Sequence, residues 1–152
     1  MRTRTFRLRD EAATARLAHQ ISERARPGDT LLLAGEIGAG KSAFARAFIR
    51  HRLGPQEDVP SPTFTLVQTY VDGDTEIWHC DLYRLTDPQE VLELGLDEAF
   101  SAAICLIEWP DRLGDLTPVN ALALAFEACD DHHRVTLDLT ADWAERLAGL
   151  DA

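Results

Sequence analysis

Two short stretches of this chain are apolar at nearly every position: Thr30-Leu31-Leu32-Leu33-Ala34 and Ala103-Ile104-Cys105-Leu106-Ile107. Runs of this length suit strands covered on both faces, as in a parallel sheet. Looser alternation over Thr3–Leu8, Thr63–Val71, Thr75–Asp81, Leu122–Phe126 and Val135–Leu139 predicts further strands. Asp72-Gly73-Asp74 is hairpin-turn chemistry between two of them. Helical spacing takes over elsewhere. Asp10 stands as an N-cap before Ala12, Ala13, Leu17, Ala18 and Ile21, a helix that Pro27-Gly28-Asp29 breaks. A second helix is predicted over Lys41–His51, closed by Gly54-Pro55. A third opens at Asp87-Pro88, carries Val91, Leu92 and Leu94, and ends near Phe100. A closing helix covers Ala141–Leu150. Strands and helices in this order predict one α/β domain over residues 1–152, with a mostly parallel central sheet flanked by helices and an antiparallel hairpin.

Composition changes this picture only at a few points. At 152 residues the chain can bury one substantial core. No apolar run approaches the roughly 18–20 residues of a membrane span. The basic start Met1–Arg7 has no apolar stretch behind it, so a secretory signal is not expected. Cys80, Cys105 and Cys129 are scattered and without metal-type spacing, which points to a cytoplasmic protein lacking disulfides. The net charge of −11 is unevenly spread. Residues 1–52 carry 11 basic and 5 acidic side chains, and residues 53–152 carry 4 and 21. The acidic portion would repel a nucleic-acid backbone, so tRNA or DNA binding by this chain alone is not expected.

Chemistry concentrates at Gly35-Glu36-Ile37-Gly38-Ala39-Gly40-Lys41-Ser42. It has full P-loop spacing, with a buried strand predicted before it and a helix after it. Glycines let successive backbone N–H groups turn inward on phosphate oxygens, and the new helix adds its positive end. Lys41, the only lysine beside 14 arginines, supplies a point charge for the β/γ-phosphates, and the Ser42 hydroxyl can ligate Mg²⁺. Such a site also needs an acid at the end of a neighbouring strand. Asp81 and Glu108 both qualify by sequence, the latter after the more apolar run. Thr63, in Ser61-Pro62-Thr63-Phe64, lies where switch segments sit and can sense the γ-phosphate, although an ordinary loop has the same composition. Trp109 suits stacking on a base or packing in the core. His79, His132 and His133 show no metal-like spacing.

No Asn/Thr-Lys-x-Asp stretch is present, so ATP is favoured over GTP. Three functions remain open: an ATPase subunit, a small-molecule kinase, and a nucleotide-dependent binding module. Only Arg84, Arg112, Arg134 and Arg146 lie beyond residue 52 to clamp a kinase transition state, which weighs against the second.

In order along the chain stand Asp10-Glu11-Ala12-Ala13-Thr14, the P-loop, Ser61-Pro62-Thr63-Phe64, Asp81-Leu82-Tyr83-Arg84-Leu85 and Ile107-Glu108-Trp109-Pro110. This set resembles the bacterial TsaE (YjeE) family over residues 10 to about 112. The resemblance implies a P-loop ATPase component of tRNA threonylcarbamoyladenosine biosynthesis that acts with the TsaD and TsaB proteins and meets tRNA only through them. It also implies that Ser42 and Glu108 hold Mg²⁺ with Asp81 nearby, that Thr63 is the switch residue, and that Glu11, Thr14 and Trp109 lie near the nucleotide. Ser42 departs from the family's usual threonine, but either hydroxyl can ligate magnesium.

Overall fold

The computed structural model describes residues 2–150. Seven strands form one sheet: β1 (Arg2–Leu8), β2 (Thr30–Ala34), β3 (Val67–Asp72), β4 (Thr75–Asp81), β5 (Ile104–Glu108), β6 (Leu122–Ala128) and β7 (His133–Leu139). Their spatial order is β1-β7-β6-β2-β5-β4-β3. The central four, β6, β2, β5 and β4, are parallel. The β3–β4 hairpin forms one antiparallel margin as predicted, and β1 and β7 form a second on the far side.

Alternation along β5 shows how the layers are divided. Ile104 and Leu106 belong to a core shared with α1 (Glu11–Arg24), α2 (Lys41–Leu53) and α5 (Ala141–Arg146). Cys105 and Ile107 belong to a second core with α3 (Gln89–Glu93), α4 (Leu96–Ala102) and the 3₁₀ segment Pro110–Leu116. All five β5 residues are buried, which is why the four before Glu108 show no polar face. Burial raises the pKa of both core thiols, Cys80 well above the ordinary thiol value and Cys105 to about 12. They act as small hydrophobes.

Local chemistry sets several boundaries. Asp10 caps α1 by accepting from the Ala13 amide at 2.9 Å. The predicted third helix is two, because Gly95 takes φ +84° and separates α3 from α4. The closing helix stops at Arg146, whose guanidinium turns back to bridge Asp29 and Asp142. The predicted strand from Thr63 begins only at Val67. Thr63–Leu66 is a turn, closed by the Leu66 amide on the Pro62 carbonyl at 2.7 Å, with Leu66 left-handed at φ +67°. That turn keeps Thr63 out of the sheet and delivers it to the ends of the central strands. Among the described residues, no helix is long and apolar enough to cross a membrane.

Candidate functional site

Because β2, β4 and β5 run parallel, their carboxyl ends open at one edge of the sheet, the usual place for a ligand crevice in this architecture. The loop after β2, Asp81 at the end of β4 and Glu108 at the end of β5 meet there. Asp81 and Glu108 are register partners on adjacent strands. A cleft of about 870 Å³ follows, lined in part by Glu11, Lys41, Ser42, Thr63, Asp81, Glu108 and Trp109. Ile37, Gly38 and Gly40 also face it, with Ile37 80% exposed at the loop tip. Gly35, Glu36 and Ala39 do not line it. They form the loop's frame, where the Ala39 amide closes a turn on the Glu36 carbonyl at 3.1 Å and Ala39 is buried.

The loop needs its glycines for different reasons. Gly38 and Gly40 hold φ of +84° and +111°, the left-handed region that L side chains rarely adopt. Gly35, at φ +141°, is also pressed against β6, where an added Cβ would stand 2.5 Å from the Phe126 carbonyl oxygen. Gly35→Ala is therefore expected to destabilise the fold by about 3 kcal/mol, combining backbone strain with a clash against a strand that cannot move aside. Denaturant unfolding checks this, and a loss below about 1 kcal/mol would contradict it.

Two hydrogen-bonded chains organise the acids. Ser42, in the first turn of α2, donates its hydroxyl to Glu108 Oε1 at 3.2 Å. The other carboxylate oxygen, Oε2, lies 2.6 Å from His79 Nε2 on β4. In the second chain, Ser61 and Thr63 hydroxyls meet at 2.7 Å and Thr63 donates to Asp81 Oδ2 at 3.3 Å. Asp81 Oδ1 accepts from the Tyr83 amide at 3.0 Å. Asp81 is thus tied to the Thr63 turn, while Glu108 is the acid joined to Ser42.

Lys41 bonds back to the Gly35 carbonyl and sets its ammonium 3.7 Å from the centre of the Trp109 ring. Burial lowers its pKa, and the carboxylates of Glu108, Asp81, Glu36 and Asp111 act in the opposite direction. Trp109 is half-buried and left-handed (φ +59°, ψ +54°), with Tyr83 packed at 4.8 Å on its ring. A non-glycine residue held in that region directly after Glu108 is the strain that functional sites commonly carry.

The donor set fits a phosphorylated ligand with a hard cation. Among the described residues the ammonium contacts only a carbonyl and a ring, the loop is folded around glycines at the start of a helix, and a hydroxyl and a carboxylate oxygen stand side by side. Among the described residues no group of three or more His, Cys, Asp or Glu forms a metal cage. A magnesium site needs none, since it takes one or two protein oxygens and completes its shell with phosphate and water.

A family model described as "Threonylcarbamoyl adenosine biosynthesis protein TsaE" matches residues 8–136. The chain belongs to the TsaE family. A TsaE named as a tRNA threonylcarbamoyladenosine biosynthesis protein from Rickettsia felis is 38% identical over 133 residues, 88% of this chain and 78% of that protein. The Bacillus subtilis protein of the same name is 36% identical over 149 residues, 97% and 90% of the two chains. The crystal structure of Bacillus subtilis YdiB superposes with a TM-score of 0.81 at 28% identity, covering 98% of this chain and 94% of that one. The TsaE family is a nucleotide-binding P-loop family of tRNA threonylcarbamoyladenosine biosynthesis.

Within this TsaE chain, three groups at or behind the cleft could not be assigned to it from the sequence. The β6–β7 turn brings His132 and His133 to its wall, with His133 Nδ1 3.4 Å from where a Gly40 Cβ would lie. Tyr83 reaches the cleft beside Trp109. His79 lies behind Glu108, fully enclosed. For His79, its period-two spacing from Asp81 places the two on one face of β4, but its meeting with Glu108 depends on which strand lies alongside.

Proposed function

We propose that this chain is a Mg²⁺-dependent ATPase that serves tRNA threonylcarbamoyladenosine formation in the cytoplasm as a subunit acting with TsaD and TsaB, and that it reaches tRNA only through them. The observation that carries the nucleotide reading is the convergence of Lys41, Ser42 with Glu108, and Thr63 with Asp81 on one cleft. Family membership carries the pathway.

In this reading Lys41 exchanges the Gly35 carbonyl and the Trp109 face for β- and γ-phosphate oxygens. The amides of Gly38 to Ser42 surround the phosphates at the α2 N-terminus. Ser42 Oγ and Glu108 Oε1 would hold Mg²⁺, with Asp81 close by; the ion supplies positive charge to the β- and γ-oxygens. Thr63 holds the switch turn against Asp81, and that link can be remade when a triphosphate fills the cleft. Glu11 and Thr14 of α1 also line the cleft and would face the nucleoside, while Trp109 lies beside Lys41 and near the nucleotide's phosphates.

The test is phosphate release from Mg–ATP by the chain alone and then with TsaD and TsaB. Slow release that rises sharply in the mixture is expected. Fast release indifferent to those proteins would remove the subunit reading, and no release under either condition would leave a binding module.

A further inference from the structure

Glu108 is held from two sides. Ser42 reaches Oε1 from the P-loop helix, and His79 reaches Oε2 from the middle of the adjacent strand. The His79 and Glu108 side chains are 2% and 3% exposed, so the contact between them is closed to water. Parallel register puts His79, Asp81, Leu106 and Glu108 on one face of the β4–β5 pair, the face covered by the α1–α2 core. A buried imidazole there has a desolvation cost, and a leucine would pack against Ile77 and Leu106 without it.

The other ring nitrogen identifies what the imidazole does. His79 Nδ1 is buried with no hydrogen-bond partner among the described residues. A proton on Nδ1 would be an orphaned buried donor, so the ring proton belongs on Nε2, where the carboxylate accepts it. One donor and one carboxylate oxygen then fix the plane of Glu108. That leaves Oε1 turned toward Ser42 and the cleft.

Resting on the reading that Ser42 and Glu108 hold Mg²⁺, we propose that His79 is a positioning residue that orients Glu108 for the cation, through the His79 Nε2 to Glu108 Oε2 hydrogen bond. Partners of this kind behind a metal-binding group commonly govern metal affinity by roughly 10- to 100-fold. The imidazole does not touch the nucleotide cleft, so nucleotide binding without metal should not sense it.

The reach of the donor separates positioning from bulk. A glutamine amide nitrogen falls near the imidazole Nε2 position, whereas an asparagine amide falls near Nδ1 and stops short of Glu108. Manganese binding to the ADP complex of the full chain, followed by electron paramagnetic resonance, is the readout. His79→Gln is expected to keep Mn²⁺ affinity within about threefold of the parent, and His79→Asn to lose roughly tenfold or more. Both should bind ADP in EDTA as the parent does. Equal Mn²⁺ affinity in the two variants, or loss in both, overturns the proposal. Nitrogen-15 histidine spectra of the unsubstituted chain give a second measurement that needs no variant at this position. A ring proton found on Nδ1 of His79 also overturns it. Glu108→Gln separates the two levels: if it too keeps Mn²⁺ affinity, the metal reading falls and the role of His79 with it. If it loses affinity while His79→Asn does not, only the role of His79 falls.

Discussion

Lys41→Ala is expected to lower affinity for Mg–ATP by roughly 100-fold, with the fold intact. A charge-assisted hydrogen bond contributes about 1.5–3 kcal/mol, and each 1.4 kcal/mol is tenfold in affinity. The upper end applies because Lys41 is the only lysine and the one cationic side chain within the phosphate loop itself. Lys41→Arg should not restore binding, since Lys41 is buried and a bulkier planar guanidinium cannot replace its compact point charge at the phosphates. Stability without nucleotide should move the other way. A lysine pKa lowered by folding means that the charged form is disfavoured in the native state, with the penalty in force below the folded pKa and fading as pH rises toward the unfolded value. At neutral pH, Lys41→Met is therefore expected to raise the nucleotide-free melting temperature. A titration showing affinity within threefold of the parent would sink the functional claim. A lower melting temperature for Lys41→Met would show that the ammonium stabilises its own site.

Glu108→Gln is expected to reduce phosphate release by the complete assembly at least roughly 100-fold, because a metal-held oxyanion contact is worth several kcal/mol at the reacting phosphate and each 1.36 kcal/mol is tenfold in rate. Association with partners should suffer much less. A glutamine can still accept from His79 Nε2 through its carbonyl oxygen, so the buried imidazole keeps a partner and the β4–β5 edge keeps its shape. The variant should therefore associate with TsaD and TsaB normally while failing to support repeated rounds of tRNA modification. Phosphate release within threefold of the parent, measured under saturating nucleotide, would move the essential acid elsewhere, and Asp81 would be the next residue to replace.

The two variants act on residues with very different legibility. Lys41 could be read at once, because P-loop spacing is local: eight consecutive residues contain the turn, the cation and the hydroxyl. Glu108 could be placed only as one of two strand-end acids. The choice between them lies in side-chain contacts, where Glu108 pairs with Ser42 and Asp81 with Thr63 and Tyr83. Thr63 shows how a residue can reach the cleft expected for it through a local structure that the sequence did not predict. Its stretch alternates like a strand, yet Leu66 turns left-handed and folds the segment back on Pro62. The same competition split the predicted third helix, where Gly95 prefers a positive φ to helical geometry.

By itself the sequence determined what contiguous residues can specify. That includes the buried parallel strands with no polar face, the Asp10 cap, the phosphate loop, and the motif order that matches the family. Tertiary structure alone decided which distant groups meet. Strand order put β4 beside β5, and only then could His79 reach Glu108, 29 positions further along the chain. The second antiparallel margin, β7 on β6, likewise brought the turn carrying His132 and His133 over the loop. The physical reason is that caps, turns and phosphate nests draw on backbone geometry within a few residues. Hydrogen bonds between buried side chains draw on register, which is set by burying whole strand faces and leaves little trace in the residues that meet.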